Sequence, residues 1–335
     1  MTPQQRRLGV LLCLPVALLA GCASVPDSAT ATATPSSSAS SSPAASPSAS
    51  PTVDAASSPV RETPFGVSVT GDFGDKPKLT VPAGEAPAKL VTQVLSAGTG
   101  PVIAKGQLLV VNYLGQTWKP DNGKVNIFDN SYDRKEPASF AIGEGAVIPG
   151  WDQSLVGQKT GSRVVMSIPP AQAYGAAKDA SKPLSGETLV FVVDILGGVD
   201  KNAVANGSPA AGALPANFPK IESVSGQIPK ITSVAGVKPG PAPQSALLLK
   251  GAGEKIDLKK RLAIQVIQTD SATGKETQQT WGQGGPQLVP TEQVLSIASV
   301  LKDQNVGSRS VSVAPGQGGA SSPGIVLVID VIGQY

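Results

Sequence analysis

Histidine is absent from these 335 residues, and cysteine occurs twice, at Cys13 and Cys22. Without an imidazole there is no Ser/His/Asp triad, no Cys/His pair, no histidine metal site and no His general base. Aromatic residues make up 4% of the chain, so the places where they gather carry information. Charge is almost balanced, 27 basic residues against 24 acidic, and its distribution gives no footprint for nucleic acid. The apolar run at residues 8–20 is too short for a good membrane span and follows Arg6 and Arg7, which gives it the shape of an export signal.

That run stops at LAGC, residues 19–22, which resembles a bacterial lipobox. The resemblance implies that residues 1–21 are a lipoprotein signal peptide and that Cys22 becomes the lipidated first residue. Two acyl chains on Cys22 satisfy the requirement for stable anchoring. Arg6-Arg7 matches a twin-arginine signal poorly. Cys13 would leave with the signal and the Cys22 thiol would be consumed by lipid, so no intramolecular disulfide is expected. Loss of Arg6 and Arg7 leaves 25 basic residues against 24 acidic. The expected location is the extracytoplasmic face of a bacterial cell membrane.

Residues 22–65 are dominated by Ser, Ala, Pro and Thr, as in TPSSSASSSPAASPSASPT. Such a stretch cannot bury enough surface to offset its ordering entropy and is expected to be a disordered tether. Roughly 40 coil residues give a mean span of about 35 Å. Its Ser/Thr/Pro composition leaves O-glycosylation open. Beyond it, LVTQVL (90–95), LLVVNYL (108–114), ASFAI (138–142), VVMSI (164–168) and LVFVVDIL (189–196) predict strands separated by Gly, Pro, Asn and Asp. Between them PGWDQSLV (149–156) predicts a short helix with Pro in its first turn and Trp151 and Leu155 on one face. Strands with a single helix predict an α+β fold, an antiparallel sheet packed on that helix, over residues 66–198.

A linker is expected at 199–218, after which strands return at 245–249, 262–268, 310–313 and 325–332. The second series repeats the first. SAGTGPVIAKGQLLVVNYLGQT from Ser96 aligns with KGAGEKIDLKKRLAIQVIQT from Lys250, placing Gly100 over Gly253 and Leu109 over Leu262. VGQKTGSR aligns with KDQNVGSR, and TLVFVVDILGG with GIVLVIDVIGQY, in the same order.

The segment from about 88 to 198 resembles the FKBP-type peptidyl-prolyl cis-trans isomerases, through VVNYLG, FDNSYDRKEPASFAIGEGAVIPGWDQSLVGQKTGSR, PPAQAYG and TLVFVVDIL. The resemblance implies an antiparallel half-barrel wrapped on the short helix, with an apolar pocket between them and no cofactor or metal. Carried over residue by residue, it places Tyr113, Phe128, Phe140, Val147, Ile148 and Phe191 on the pocket walls and Trp151 on the floor. Tyr174 would offer its hydroxyl to a substrate carbonyl and Asp129 would stand beside the twisting amide. Any one of these aromatics would serve equally as core. Together they are telling, because eight of the thirteen aromatics fall between Tyr113 and Phe191.

The sequence also departs from the family. Ala138 stands where an aromatic commonly narrows the pocket, the loop at 115–128 is long and carries Trp118, and Lys178, Asp179 and Lys182 alter the loop after Tyr174. Leu184 is expected to supply an apolar contact there. In the repeat, the alignment puts Val266 at Tyr113, Trp281-Gly282 near Phe128-Asp129 and Ile297 near Trp151, and the Ala-Tyr-Gly loop is missing. Residues 219–335 are therefore expected to be a degenerate FKBP-like domain without a pocket. The expected function is proline isomerisation during folding of exported proteins, with proline-containing polypeptides as partners and macrolides of the FKBP class as candidate ligands. The alternative is a non-catalytic lipoprotein chaperone or binding module that uses the same cleft.

Overall fold

The computed structural model describes residues 60–179, 181, 183–316 and 323–335. The signal, Cys22, nearly all of the expected tether and Lys182 lie outside the described residues. The first series of elements is β1 (Arg61–Glu62), β2 (Ser68–Thr70), β3 (Lys78–Thr80), β4 (Val91–Ser96), β5 (Leu108–Thr117), β6 (Ile127–Asn130), β7 (Ala138–Ala141), α1 (Pro149–Leu155), β8 (Arg163–Ile168) and β9 (Leu189–Val199). An antiparallel sheet runs β4-β8-β9-β5-β6, with β7 on the near half of β5 and β6 on its far half. Side chains alternate across it. Leu109, Val111, Tyr113, Val164, Met166, Ile168 and Phe191 pack with Trp151 and Leu155 of α1 into one buried cluster.

Helix α1 has seven residues, too few to be stable alone, so burial must hold it. Its Pro149 opens the first turn, and Leu155, fully buried, contributes about 1.5–3 kcal/mol on the usual scale for such side chains. Gly150 lets the helix lie on Ile168: a Cβ there would collide with the isoleucine side chain.

The opposite face of the sheet is covered as well. Strands β1, β2 and β3 form a small meander whose Val67, Val69 and Leu79 pack on Leu114, Trp118, Val165, Val190 and Val192. Ordered structure thus reaches back to Arg61, into the stretch assigned to the tether. The reason is alternation: Val67, Val69 and Leu79 supply the apolar face that the Ser/Ala/Pro run lacks.

Beneath the meander lies a buried ion pair. Arg163 donates from Nε and Nη2 to Asp194 at 2.6 and 2.7 Å, and both side chains are fully buried. The remaining donors reach main-chain carbonyls of the meander, Nη1 to Gly71 at 2.5 Å and Nη2 to Asp75 at 2.7 Å, while Gly74 N–H donates to Asp194 Oδ2 at 2.7 Å. Such a pair is tolerated in the interior because its donors and acceptors are satisfied.

The second series is β10 (Ser208–Pro209), β11 (Lys220–Glu222), β12 (Lys230–Ser233), β13 (Gln244–Lys250), β14 (Arg261–Asp270), β15 (Glu276–Gln279), β16 (Gln287–Pro290), α2 (Thr291–Ile297), β17 (Arg309–Ala314) and β18 (Ile325–Gln334). Its sheet runs β10-β13-β17-β18-β14-β15, with β16 on β14. Apart from the added β10, that is the order of the first sheet. Arg309 donates to Asp330 at 2.5 and 2.7 Å, both fully buried, and to the Gln227 carbonyl at 2.7 Å in the β11–β12 turn. Main-chain bonds correspond one by one: Gly98 and Gly251 N–H each donate to a serine hydroxyl at 2.9 Å, Ser162 and Ser308. Gly161 and Gly307 N–H donate to Ile195 and Val331 carbonyls at 2.8 Å. Both glycines have positive φ, 88° and 93°, which a side chain would oppose.

Two sequence expectations change here. The stretch assigned as the 199–218 linker holds Ala205 and Phe218 in buried positions and contributes β10, and Ala205 N–H donates to Asp330 at 2.7 Å. Strand register also replaces the alignment near Trp281. Gly115 pairs with Asp129 and Gln268 with Gln278, so Thr277-Gln278 occupy the Phe128-Asp129 positions. Ile297 keeps its place opposite Trp151: Gln158 and Gln304 N–H donate to the carbonyls of Leu155 and Leu301, both fully buried, and Trp151 and Ile297 each lie four residues before that leucine.

Candidate active site

A concavity in the first half opens between α1, the loop before it, and the sheet. It encloses about 460 Å³ and is lined by all nine residues expected there: Tyr113, Phe128, Asp129, Phe140, Val147, Ile148, Trp151, Tyr174 and Phe191. Strand β5 supplies Tyr113, β6 Phe128 and Asp129, β7 Phe140 and β9 Phe191. Trp151 rises from the helix and meets three rings edge-on, with centroid distances of 5.4 Å to Tyr113, 5.2 Å to Phe140 and 5.3 Å to Phe191. These T-shaped contacts fix the indole plane as a rigid floor. Its Nε1 is buried with no hydrogen-bond partner.

Space for the rings depends on Gly115. A Cβ at that position would come within 2.6 Å of Phe191 and 2.8 Å of Phe128. Phe128 and Phe191 fill that room in an edge-on pair at 5.5 Å.

Asp129 is the one carboxylate on the wall. It accepts short hydrogen bonds from the Tyr113 hydroxyl and from Arg134 Nη1, and the Arg134 guanidinium also lies 5.7 Å from the Tyr113 ring centroid. Burial alone would raise the Asp129 carboxyl, but the bonds from Tyr113 and Arg134 outweigh it and hold the group below its ordinary range. The same burial, reinforced by Asp129, pushes Tyr113 up to about 12, so its proton stays in place. Tyr174, 48% exposed at the rim, is raised by burial and then by the Asp129 charge. The result is a mainly apolar cup with one fixed negative charge and one phenol at its mouth.

A model for FKBP-type peptidyl-prolyl cis-trans isomerases matches residues 100–196. An FK506-binding protein of Streptomyces anulatus is 39% identical over 123 residues, covering 36% of this chain and 96% of that protein. The chain belongs to the FKBP-type peptidyl-prolyl cis-trans isomerases. A probable FK506-binding protein of Corynebacterium glutamicum is 35% identical over 122 residues, covering 36% of this chain and 98% of the relative. The isomerase FkpA of Escherichia coli K12 is 40% identical over 131 residues, 39% of this chain and 45% of that protein.

The isomerase match spans every cavity residue but neither the meander nor the second half. Inside it, sequence reasoning missed Arg134, five residues beyond Asp129 in the same quoted block, and Asp152, which follows Trp151. Asp152 accepts from Gly143 N–H at 2.6 Å and Gly145 N–H at 2.9 Å, tying the loop that leads to Val147 and Ile148 onto α1. Ala146, Pro149 and Ala173 complete the lining. Leu184 packs on the isomerase core but does not line the cavity, and Lys178, also outside the lining, bonds to Glu187 at 3.0 Å. Ala138 likewise packs on the core outside the cavity lining.

Proposed function

We propose that this protein is a lipid-anchored isomerase acting outside the cytoplasmic membrane on X-Pro bonds of exported polypeptides, with the first cavity as its site. Uncatalysed X-Pro isomerisation takes tens to hundreds of seconds, and its barrier of about 18–20 kcal/mol is largely the loss of amide resonance. At the top the twisted amide is a weaker dipole than the planar one. A dry aromatic cup therefore favours the twisted form over the ground state, and each 1.4 kcal/mol of such preference is about tenfold in rate. Trp151 would floor the proline ring, Tyr174 would donate to the carbonyl on the substrate side, and Asp129 would set the field beside the rotating bond. Macrolides of the FK506 class would compete for the same cup.

The observation that carries this reading is the convergence of six aromatic rings and one ionised carboxylate on a single cavity. The second half is read as a degenerate FKBP-like copy without isomerase activity. Support comes from its matched strand order and ion pair, with Val266, Gln278, Val289 and Leu327 at the positions of Tyr113, Asp129, Phe140 and Phe191.

The test is isomerisation of short X-Pro peptides by the full lipid-free chain, beside Asp129→Ala and Tyr174→Phe. Acceleration that falls about tenfold in kcat/KM in Asp129→Ala, equivalent to about 1.4 kcal/mol, is the expected result. A well-folded chain that binds unfolded polypeptides without acceleration would replace the enzyme by a holding chaperone. Anchoring is tested separately: Cys22→Ser should release the protein from membranes and abolish incorporation of labelled fatty acid.

A further inference from the structure

The second half reaches the isomerase at both ends of one pocket wall. Strand β7 carries Phe140 into the cavity, and the loop before it carries Arg134, the partner of Asp129. Two residues after Arg134, Glu136 pairs with Arg261, the first residue of β14, at 2.6 Å. On the other side of β7, Glu144 pairs at 3.3 Å with Lys201, in the segment that leads to the second half. Glu144 sits between Gly143 and Gly145, whose N–H groups bind Asp152 on the helix of Trp151.

Neither pin is free to swing with its own side chain alone. Arg261 is paired in both main-chain directions with Tyr335, at 2.9 Å, and the Tyr335 ring sits against Gly197 of β9, where a Cβ would collide with it. The Lys201 carbonyl accepts Gln265 Nε2 at 2.8 Å, and the Ala203 carbonyl accepts Trp281 Nε1 at 2.9 Å. Both charged contacts are thus rooted in the second sheet.

We infer that Arg261 and Lys201 are positioning residues for proline isomerisation: through Glu136 and Glu144 the second half holds β7, and with it Phe140 and the Arg134–Asp129 pair, in register with the Trp151 floor. The second half thereby acts on the reaction from outside the first cavity. This rests on the isomerase reading of the first cavity. Because Arg261 and Glu136 are 22% and 58% exposed, the contact is partly screened, and its effect is correspondingly modest and salt-dependent.

The experiment uses the full chain. Arg261→Glu and Glu136→Arg are each expected to lower kcat/KM on an X-Pro peptide about two- to threefold. The double variant should restore it, Arg261→Lys should rescue in part, and high salt should bring wild type down toward the single variants. Amide hydrogen exchange of residues 138–141 is measured on the same proteins and should speed up in the single variants and recover in the double. Unchanged exchange in β7, or a double variant no better than the singles, overturns the inference. A wild-type chain with no isomerase activity would instead bring down the reading of the first cavity, while exchange alone would still decide whether the clamp exists.

Discussion

Ser131 and Thr280 do the same work in the two halves: the hydroxyl oxygen of one accepts the N–H of Tyr113 at 2.9 Å, that of the other accepts the N–H of Val266 at 2.8 Å. Around them the framework agrees to single main-chain bonds, yet the side chains that make the cavity are exchanged. Gln268 stands where Gly115 leaves room for two phenylalanine rings, and Thr277 and Leu327 stand in place of those rings. On the inner face Ser310, Ser312 and Ala314 replace Val164, Met166 and Ile168, and both serine hydroxyls are buried with no hydrogen-bond partner. The difference teaches that this scaffold is specified by its glycine turns, its β-branched strands and a buried ion pair. The isomerase site is a separate layer of side chains laid on it.

The comparison is tested most strongly at what the halves share. Asp194→Ala and Asp330→Ala each strand a buried guanidinium, so each should cost about 3–5 kcal/mol in urea unfolding. A negligible cost for the second would mean that its pair is not the equivalent clamp. Next comes the exchange of a differing residue: Gly115→Gln should close the first cavity by overpacking, costing about 1–3 kcal/mol in stability together with most of the isomerase activity. Smaller still, Ser312→Ala removes a buried hydroxyl that lacks a partner and should stabilise the second half by about 1 kcal/mol, whereas Met166→Ser should destabilise the first.

The smallest effect is one of pH, at the carboxylate of the first cavity. Asp129 is lowered below 3.8, so in the acid range the unfolded state binds the proton more readily than the folded one. Its stabilising contacts are therefore complete above 3.8 and are lost only as pH falls through the lower folded value. Isomerase activity should stay level from neutrality through the ordinary carboxylate range and decline only as pH falls through that lower folded value, as a pH profile of kcat/KM will show. Replacing Asp129 with Asn should remove that limb.

The sequence made the cavity legible because its residues are chemically conspicuous: aromatics are scarce, and eight of the thirteen lie in one block. Main strands were legible from β-branched runs between Gly and Pro. Strand β6 was not, since IFDN reads as the end of a long loop until its pairing with β5 is known. Helix α2 carries no aromatic, its Pro290 stands at the N-cap where it also ends a strand, and only two of its seven residues are buried. The meander strands have two or three residues each, too few for a period to show. Yet a signal was present: GDKPKLT at 74–80 and GQIPKIT at 226–232 are written alike, and the carbonyls of Asp75 and Gln227 within them accept from Arg163 and Arg309.

That shared cap fixes where this isomerase can be cut. A fragment trimmed to the matched residues 100–196 would keep the Arg163–Asp194 pair but discard Gly71, Gly74 and Asp75, which complete its hydrogen bonds. Val165, Val190 and Val192 would at the same time meet water. The smallest portable unit of the enzyme is therefore set by what shields one arginine, and it begins at the meander, some forty residues before the family-model match does.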